Sequence, residues 1–148
     1  MANYILNRFE LSQYSMLRAH VLQLDENIRE IKDELTELNK YLMNISPVLT
    51  GMPGGNEKRD KIADFIIRLD SDRQRLDAEI ASLTAERDAI KYRLKKIRTA
   101  VNNIKSEQLR EIVKRHYLDG QSISEVASET FLSENAIYKR LNRHFKHD

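Results

Sequence analysis

The chain contains no cysteine and no tryptophan, and only four of its 148 residues are glycine and two are proline. Without cysteine it can form no disulfide framework, no Cys-ligated zinc or iron–sulfur site and no thiol nucleophile. So few turn-forming residues argue against a fold of many short strands. No apolar run exceeds three residues, which argues against a membrane-spanning helix and a signal peptide. We therefore expect a soluble, all-α protein that acts in a cytoplasm.

Apolar residues recur at alternating intervals of three and four over the first third of the chain. These positions are Tyr14, Leu17, Val21, Leu24, Ile28, Ile31, Leu35, Leu38, Leu42 and Ile45. A repeat of 3.5 residues keeps one seam of a helix against a partner helix, so the pattern predicts a coiled coil.

A second segment has the same repeat. Its seam positions are Ile62, Ile66, Leu69, Arg73, Leu76, Ile80, Leu83, Arg87, Ile90, Leu94, Ile97, Val101 and Ile104. The two arginines favour an antiparallel partner, in which each can meet an aliphatic or acidic neighbour and extend its guanidinium to water. Loose packing at these positions is the alternative interpretation.

Residues 46–56 separate the two segments and contain three of the four glycines and both prolines. This composition predicts a loop that lets the chain reverse. We therefore expect a long antiparallel coiled-coil hairpin over residues 1–105. The glycine-rich stretch Gly51-Met52-Pro53-Gly54-Gly55 lacks the Gly-Lys-Ser/Thr ending and the preceding strand of a phosphate-binding loop, and we interpret it as a turn.

The remaining residues, 106–148, have the pattern of a three-helix domain. Ser122 and Ser133 stand where N-caps of the second and third helices would be expected. Ala127 is small enough to let these two helices approach, and Ile137 can fill the space between them. The sequence therefore predicts a helix-turn-helix, with a small structural bundle as the alternative.

The last helix is rich in residue types that contact DNA. Because the start of the second helix of a helix-turn-helix enters the major groove, we expect its first exposed side chains to contact base edges. The expected base contacts are Glu134, Asn135, Tyr138 and Lys139. The expected phosphate contacts are Ser122, Arg140, Arg143 and Lys146. Lys91, Lys95 and Arg98, at the end of the hairpin, either add auxiliary phosphate contacts or form a solvated face.

Residues 115–127 (RHYLDGQSISEVA) and 132–137 (LSENAI) resemble the fourth region of bacterial sigma factors. That region is the helix-turn-helix that recognises the −35 promoter element. Together with an upstream hairpin and the loop Gly51-Met52-Pro53-Gly54-Gly55 before Asp60-Lys61, the chain resembles small phage-encoded transcriptional activators of the RinA and ArpU type. The resemblance implies a regulator from a phage or prophage of a Gram-positive bacterium.

The sequence departs from this family at Thr130 and Phe131, where the family has leucine and then glycine. Glycine takes a left-handed backbone conformation at no steric cost, whereas phenylalanine is strained there. Either the turn is built differently, or Phe131 turns inward to replace the missing leucine.

No catalytic or metal site is evident in the sequence. No serine or threonine lies in a nucleophile motif, and the carboxylates are scattered. His144 and His147 lie one helical turn apart, but no third metal ligand is evident. We therefore expect neither an enzyme nor a protein with a cofactor.

The main functional hypothesis is a sequence-specific DNA-binding regulator, an activator, of phage or prophage genes in the cytoplasm of a bacterial host. Its expected partner is double-stranded DNA, with host RNA polymerase and a second copy of the chain as further candidates, and no membrane. One alternative is a small terminase subunit that recognises packaging DNA. Another is a coiled-coil module that binds a protein while the C-terminal bundle is only structural.

Overall fold

The computed structural model describes residues 6–50 and 56–145, and every regular element in these ranges is a helix. This confirms the predicted all-α class. In chain order the helices are α1 (Arg8–Thr50), α2 (Asn56–Asn102), α3 (Glu107–Val113), α4 (Ile123–Thr130) and α5 (Glu134–His144). The backbone of α3 widens at its end into a π-type turn, Lys114–Leu118, closed by a 2.9 Å hydrogen bond from the Asp119 amide to the Lys114 carbonyl.

The break between the two long helices is shorter than the predicted loop at 46–56. Helix α1 continues to Thr50 and α2 begins at Asn56, so only residues 51–55, which lie outside the described residues, remain between them. Pro47 therefore falls inside α1. Proline removes one backbone donor from a helix and its ring crowds the carbonyl four residues earlier, which can bend a helix without ending it.

The chain divides into two compact units. The terminal unit consists of Met1–Leu22 and Asp88–Asp148, and the central unit is Gln23–Arg87. The boundary that the sequence suggests, between residues 105 and 106, falls inside the terminal unit. The physical reason is that the start of α1 and the end of α2 share a core with α3, α4 and α5.

The core of the terminal unit is built from the seam of the long helices and the inner faces of the short ones. Its buried side chains are Leu11, Tyr14, Leu17, Val21, Ile90, Leu94, Ile97, Val101, Ile104, Leu109, Ile112, Val113, Val126, Ile137, Leu141 and Phe145. Burying one such side chain stabilises the fold by about 1.5–3 kcal/mol. This continuous core is what holds α5 in a fixed orientation.

The central unit is more openly packed. Leu24, Ile28 and Leu76 are buried, but the later seam positions of α1 are only half-buried. Arg87 donates from Nη1 to Oδ1 of Asp25 at 3.0 Å, so this seam arginine meets an acidic side chain of the other long helix. The rings of Tyr41 and Phe65 meet edge to face, with their centroids 6.3 Å apart.

None of the helices in the described ranges is long and apolar enough to cross a membrane.

Candidate nucleic-acid interface

Helix α4 begins where the sequence predicts. The Ser122 side chain accepts a 3.1 Å hydrogen bond from the Glu125 amide, which satisfies one of the free donors of the first turn. Gly120 precedes it with φ of 76°, a left-handed conformation that favours glycine. Val126 is fully buried and attaches α4 to the core.

Polar contacts also tie α4 to the end of α3. The backbone amide of Gln121 donates to the backbone carbonyl of Arg115 at 2.9 Å. Nδ1 of His116 lies 2.7 Å from the backbone carbonyl oxygen of Gln121. The Arg115 guanidinium bonds Glu111 at 2.8 Å and also pairs with Glu129 of α4. These contacts fix the angle at which α4 leaves the turn.

The turn between α4 and α5 has the geometry of a helix C-terminus closed by a left-handed residue. Phe131 has φ of 59° and ψ of 29°, and the Leu132 amide donates to the Ala127 carbonyl at 3.3 Å. Both interpretations that the sequence leaves open are wrong: the turn keeps a left-handed residue at position 131, and Phe131 does not turn inward, because it is 94% exposed. The half-buried Leu132 lies closer to the core instead, so the backbone keeps the conformation that glycine would adopt and displays the phenylalanine to solvent.

Helix α5 has one anchored face and one free face. The Ser133 side chain accepts a 3.1 Å hydrogen bond from the Ala136 amide, and Ile137 and Leu141 are fully buried. The four residues expected to contact bases all lie on the exposed part of this helix: Glu134, Asn135, Tyr138 and Lys139. The tight cap at Ser133 fixes where this exposed part begins.

The predicted phosphate contacts are only partly placed. Arg140 and Arg143 are exposed on α5, whereas Ser122 is exposed but already uses its oxygen as the cap of α4. Lys146 lies outside the described residues. Within residues 6–50 and 56–145, Lys139, Arg140 and Arg143 form no ion pair, so their charges are available to a ligand.

The structure brings the three predicted auxiliary cations together. Lys91, Lys95 and Arg98 line one groove of the terminal unit, at the end of α2. Arg18 of α1 lies in the same groove, although the sequence analysis did not select it. Its place beside the cations of α2 depends on how α1 and α2 pack, which no local sequence pattern indicates.

A second residue missed by the sequence analysis is Arg8 of α1. It donates from Nε to the Tyr117 hydroxyl at 3.0 Å and from Nη1 to Oδ1 of Asn142 in α5 at 2.8 Å. Asn142 is one helical turn beyond Tyr138, so Arg8 supports the end of α5 from the side. Nothing in the local sequence indicates a contact between residues so far apart.

The described ranges contain no group of three acidic or histidine side chains arranged as metal ligands. Comparisons with known proteins also assign no family: no family model, curated protein or solved structure matches the chain. The function is therefore inferred from the geometry of α5 and the surfaces beside it.

Proposed function

We propose that the protein is a sequence-specific DNA-binding transcriptional regulator in which α4 and α5 form a helix-turn-helix. The observation that carries this proposal is that α5 has one buried apolar face and one exposed polar and basic face. Its inner face is locked into the core by Ile137 and Leu141, and its outer face presents side chains that hydrogen-bond bases or neutralise phosphates. A helix with only a structural role does not require three neighbouring basic side chains, such as Lys139, Arg140 and Arg143, that have no carboxylate partner among the described residues.

The connection between α4 and α5 supports the same motif. Only residues 131–133 separate the two helices, and both begin at a serine cap. Ala127 accepts the closing hydrogen bond of the turn, and the buried Ile137 follows ten positions later. A short rigid turn of this kind sets the second helix at a fixed angle, which major-groove binding requires.

In this proposal the start of α5 enters the major groove of the DNA. Asn135 can pair with adenine, Lys139 can donate to guanine, and Glu134 can accept from the amino group of cytosine. Arg140 and Arg143 then neutralise the phosphates that flank the groove. Tyr138, whose side chain is 45% exposed, can place its ring against the sugar–phosphate backbone.

We also propose that α1 and α2 form an antiparallel hairpin. Within the central unit, Tyr41 contacts Phe65 and Asp25 contacts Arg87. The residue with the lower number in α1 therefore contacts the residue with the higher number in α2, as in an antiparallel pair. Within the terminal unit, Arg98 donates from Nη1 to the Tyr14 hydroxyl at 3.3 Å. The hairpin would give the regulator a surface for a second copy of the chain or for host RNA polymerase.

The resemblance to sigma region 4 and to phage activators of the RinA and ArpU type supports activation of phage or prophage genes. An activator of this kind would act in the cytoplasm of the bacterial host and need no catalytic residue. Binding to the promoter through α5 would leave much of α1 and α2 free to contact the polymerase.

The test is selection of bound sequences from random duplex DNA by the purified protein, with mass measured by light scattering. We expect enrichment of one motif by a monomer or dimer. Recovery of unenriched DNA in successive rounds would contradict the proposal. A ring-shaped assembly that enriches a motif would instead identify a terminase-type protein.

A further inference from the structure

The groove of the terminal unit carries an excess of positive charge that the one acidic side chain of the groove does not balance. It has a volume of about 720 Å³ and lies between α1 and α2. Four cations line it, Arg18, Lys91, Lys95 and Arg98, against the single carboxylate of Asp88. The groove therefore attracts an anion that carries several charges.

The cations of this groove are largely uncommitted. In the part of the chain that the structure describes, Arg18, Lys91 and Lys95 form no ion pair. Lys91 and Lys95 are four residues apart on α2, a spacing at which like charges repel and destabilise a helix. A bound polyanion would remove this repulsion.

The shape of the groove suits an extended chain of phosphates better than one small anion. From Lys91 to Arg98 the row of cations runs about 10 Å along the axis of α2. Tyr14 and Tyr92 also line the groove, and tyrosine, lysine and arginine are residue types that commonly contact DNA phosphates.

The groove also lies within reach of DNA held by α5. Arg8 bonds Asn142 near the end of α5, and Arg18 is ten residues further along the same helix α1, about 15 Å away. One helical turn of B-DNA covers about 34 Å. A duplex that docks on α5 and runs alongside α1 would therefore meet the groove within its next turn.

We infer that the groove between α1 and α2 binds the phosphate backbone of the DNA flanking the sequence that α5 contacts. This inference rests on the proposed function, because it assumes that a DNA duplex docks on α5. The groove would add affinity and no sequence preference, because backbone contacts are the same for every sequence. It would also lengthen the stretch of DNA that one protein molecule covers.

The test compares two duplexes and two variants of the full chain. One duplex is limited to the selected site, and the other extends it on both sides by about 20 bp, roughly two helical turns. The groove variant is Arg18→Gln/Lys91→Gln/Lys95→Gln. The control variant, Lys32→Gln/Arg93→Gln/Lys105→Gln, removes the same charge from exposed positions outside the groove.

On the extended duplex we expect the groove variant to lower the slope of log affinity against log salt by about two to three units, since each phosphate contact contributes about 0.9. On the short duplex it should match the wild type, and the control variant should match the wild type on both. Because all three substituted groove residues are exposed, the groove variant should melt at or above the wild-type temperature.

Equal slopes for the groove variant and the wild type on the extended duplex would overturn the inference. The same measurement on an extended duplex of random sequence separates this result from failure of the proposed function. If the wild type shows no sequence preference but the groove variant has a lower slope on the random duplex, the inference about the groove would stand. The proposed function as a sequence-specific regulator would then be wrong.

Discussion

Arg8, in the first turn of α1, donates a 2.8 Å hydrogen bond from Nη1 to Oδ1 of Asn142 in α5. The same guanidinium donates from Nε to the Tyr117 hydroxyl at 3.0 Å. The first helix therefore supports the last one, although 134 positions separate the two bonded residues. The C-terminal helices and the start of α1 belong to one compact unit, and the two hydrogen bonds of Arg8 help to hold α5 in its orientation.

This contact predicts energetic coupling between the two residues. Arg8→Ala and Asn142→Ala should each destabilise the protein, and the double variant should show a coupling of about 0.5–1 kcal/mol in urea unfolding. The matched control pairs Asn142→Ala with Arg18→Ala, which lies further along α1 and should show no coupling. Additive effects of Arg8→Ala and Asn142→Ala would mean that the hydrogen bond contributes nothing to stability.

We expect a glycine at position 131 to stabilise the protein. Phe131 has a φ of 59°, which is unfavourable for a residue with a Cβ atom, and its 94% exposed ring contributes little burial. Phe131→Gly should therefore raise the free energy of unfolding by up to about 1 kcal/mol. Phe131→Ala is the control, because it removes the ring but keeps the Cβ atom, and it should not produce this gain. A glycine variant less stable than the alanine variant would refute the explanation.

The ion pair between Asp25 and Arg87 gives a test of the proposed antiparallel register of α1 and α2. Arg87→Asp would bring two carboxylates together and should destabilise the protein by about 0.5–1 kcal/mol, since both partners are partly exposed. Adding Asp25→Arg should restore most of the loss, and high salt should reduce both effects. If the exchange of charges deepens the loss instead, the two residues do not face each other in solution.

Local features of the fold could be predicted from the sequence. The seam residues Tyr14, Leu17 and Val21 are buried because the heptad repeat specifies one face of a helix without reference to the rest of the chain. Ser122 and Ser133 cap their helices for a similar reason, since the hydrogen bond of a cap spans only three residues.

Features that depend on tertiary packing could not be predicted in this way. Arg8 and Arg18 obtain their neighbours from how α1 packs, and no local pattern encodes that. Pro47 has a strong local preference to interrupt a helix, yet α1 extends past it. At Phe131 the burial of an aromatic ring competes with relief of backbone strain, and the structure has neither, since the backbone is left-handed and the residue is exposed.

Arg143 should act on DNA through its charge alone. Arg143→Ala should weaken binding to specific and scrambled duplexes by the same factor and lower the salt slope by about one unit. Arg68→Ala, which removes an exposed arginine of the central unit, is the control and should leave both quantities unchanged. An Arg143→Ala protein with wild-type affinity and salt slope would show that this end of α5 does not meet the backbone.

The central claim, that α5 recognises bases, is tested most directly by measuring the affinity of Asn135→Ala and Lys139→Ala for every single-base variant of the selected site. Each substitution should cost about 1–3 kcal/mol on the preferred site and abolish discrimination at one base position, a different one for each residue. Wild-type discrimination at every position in both variants would contradict the claim.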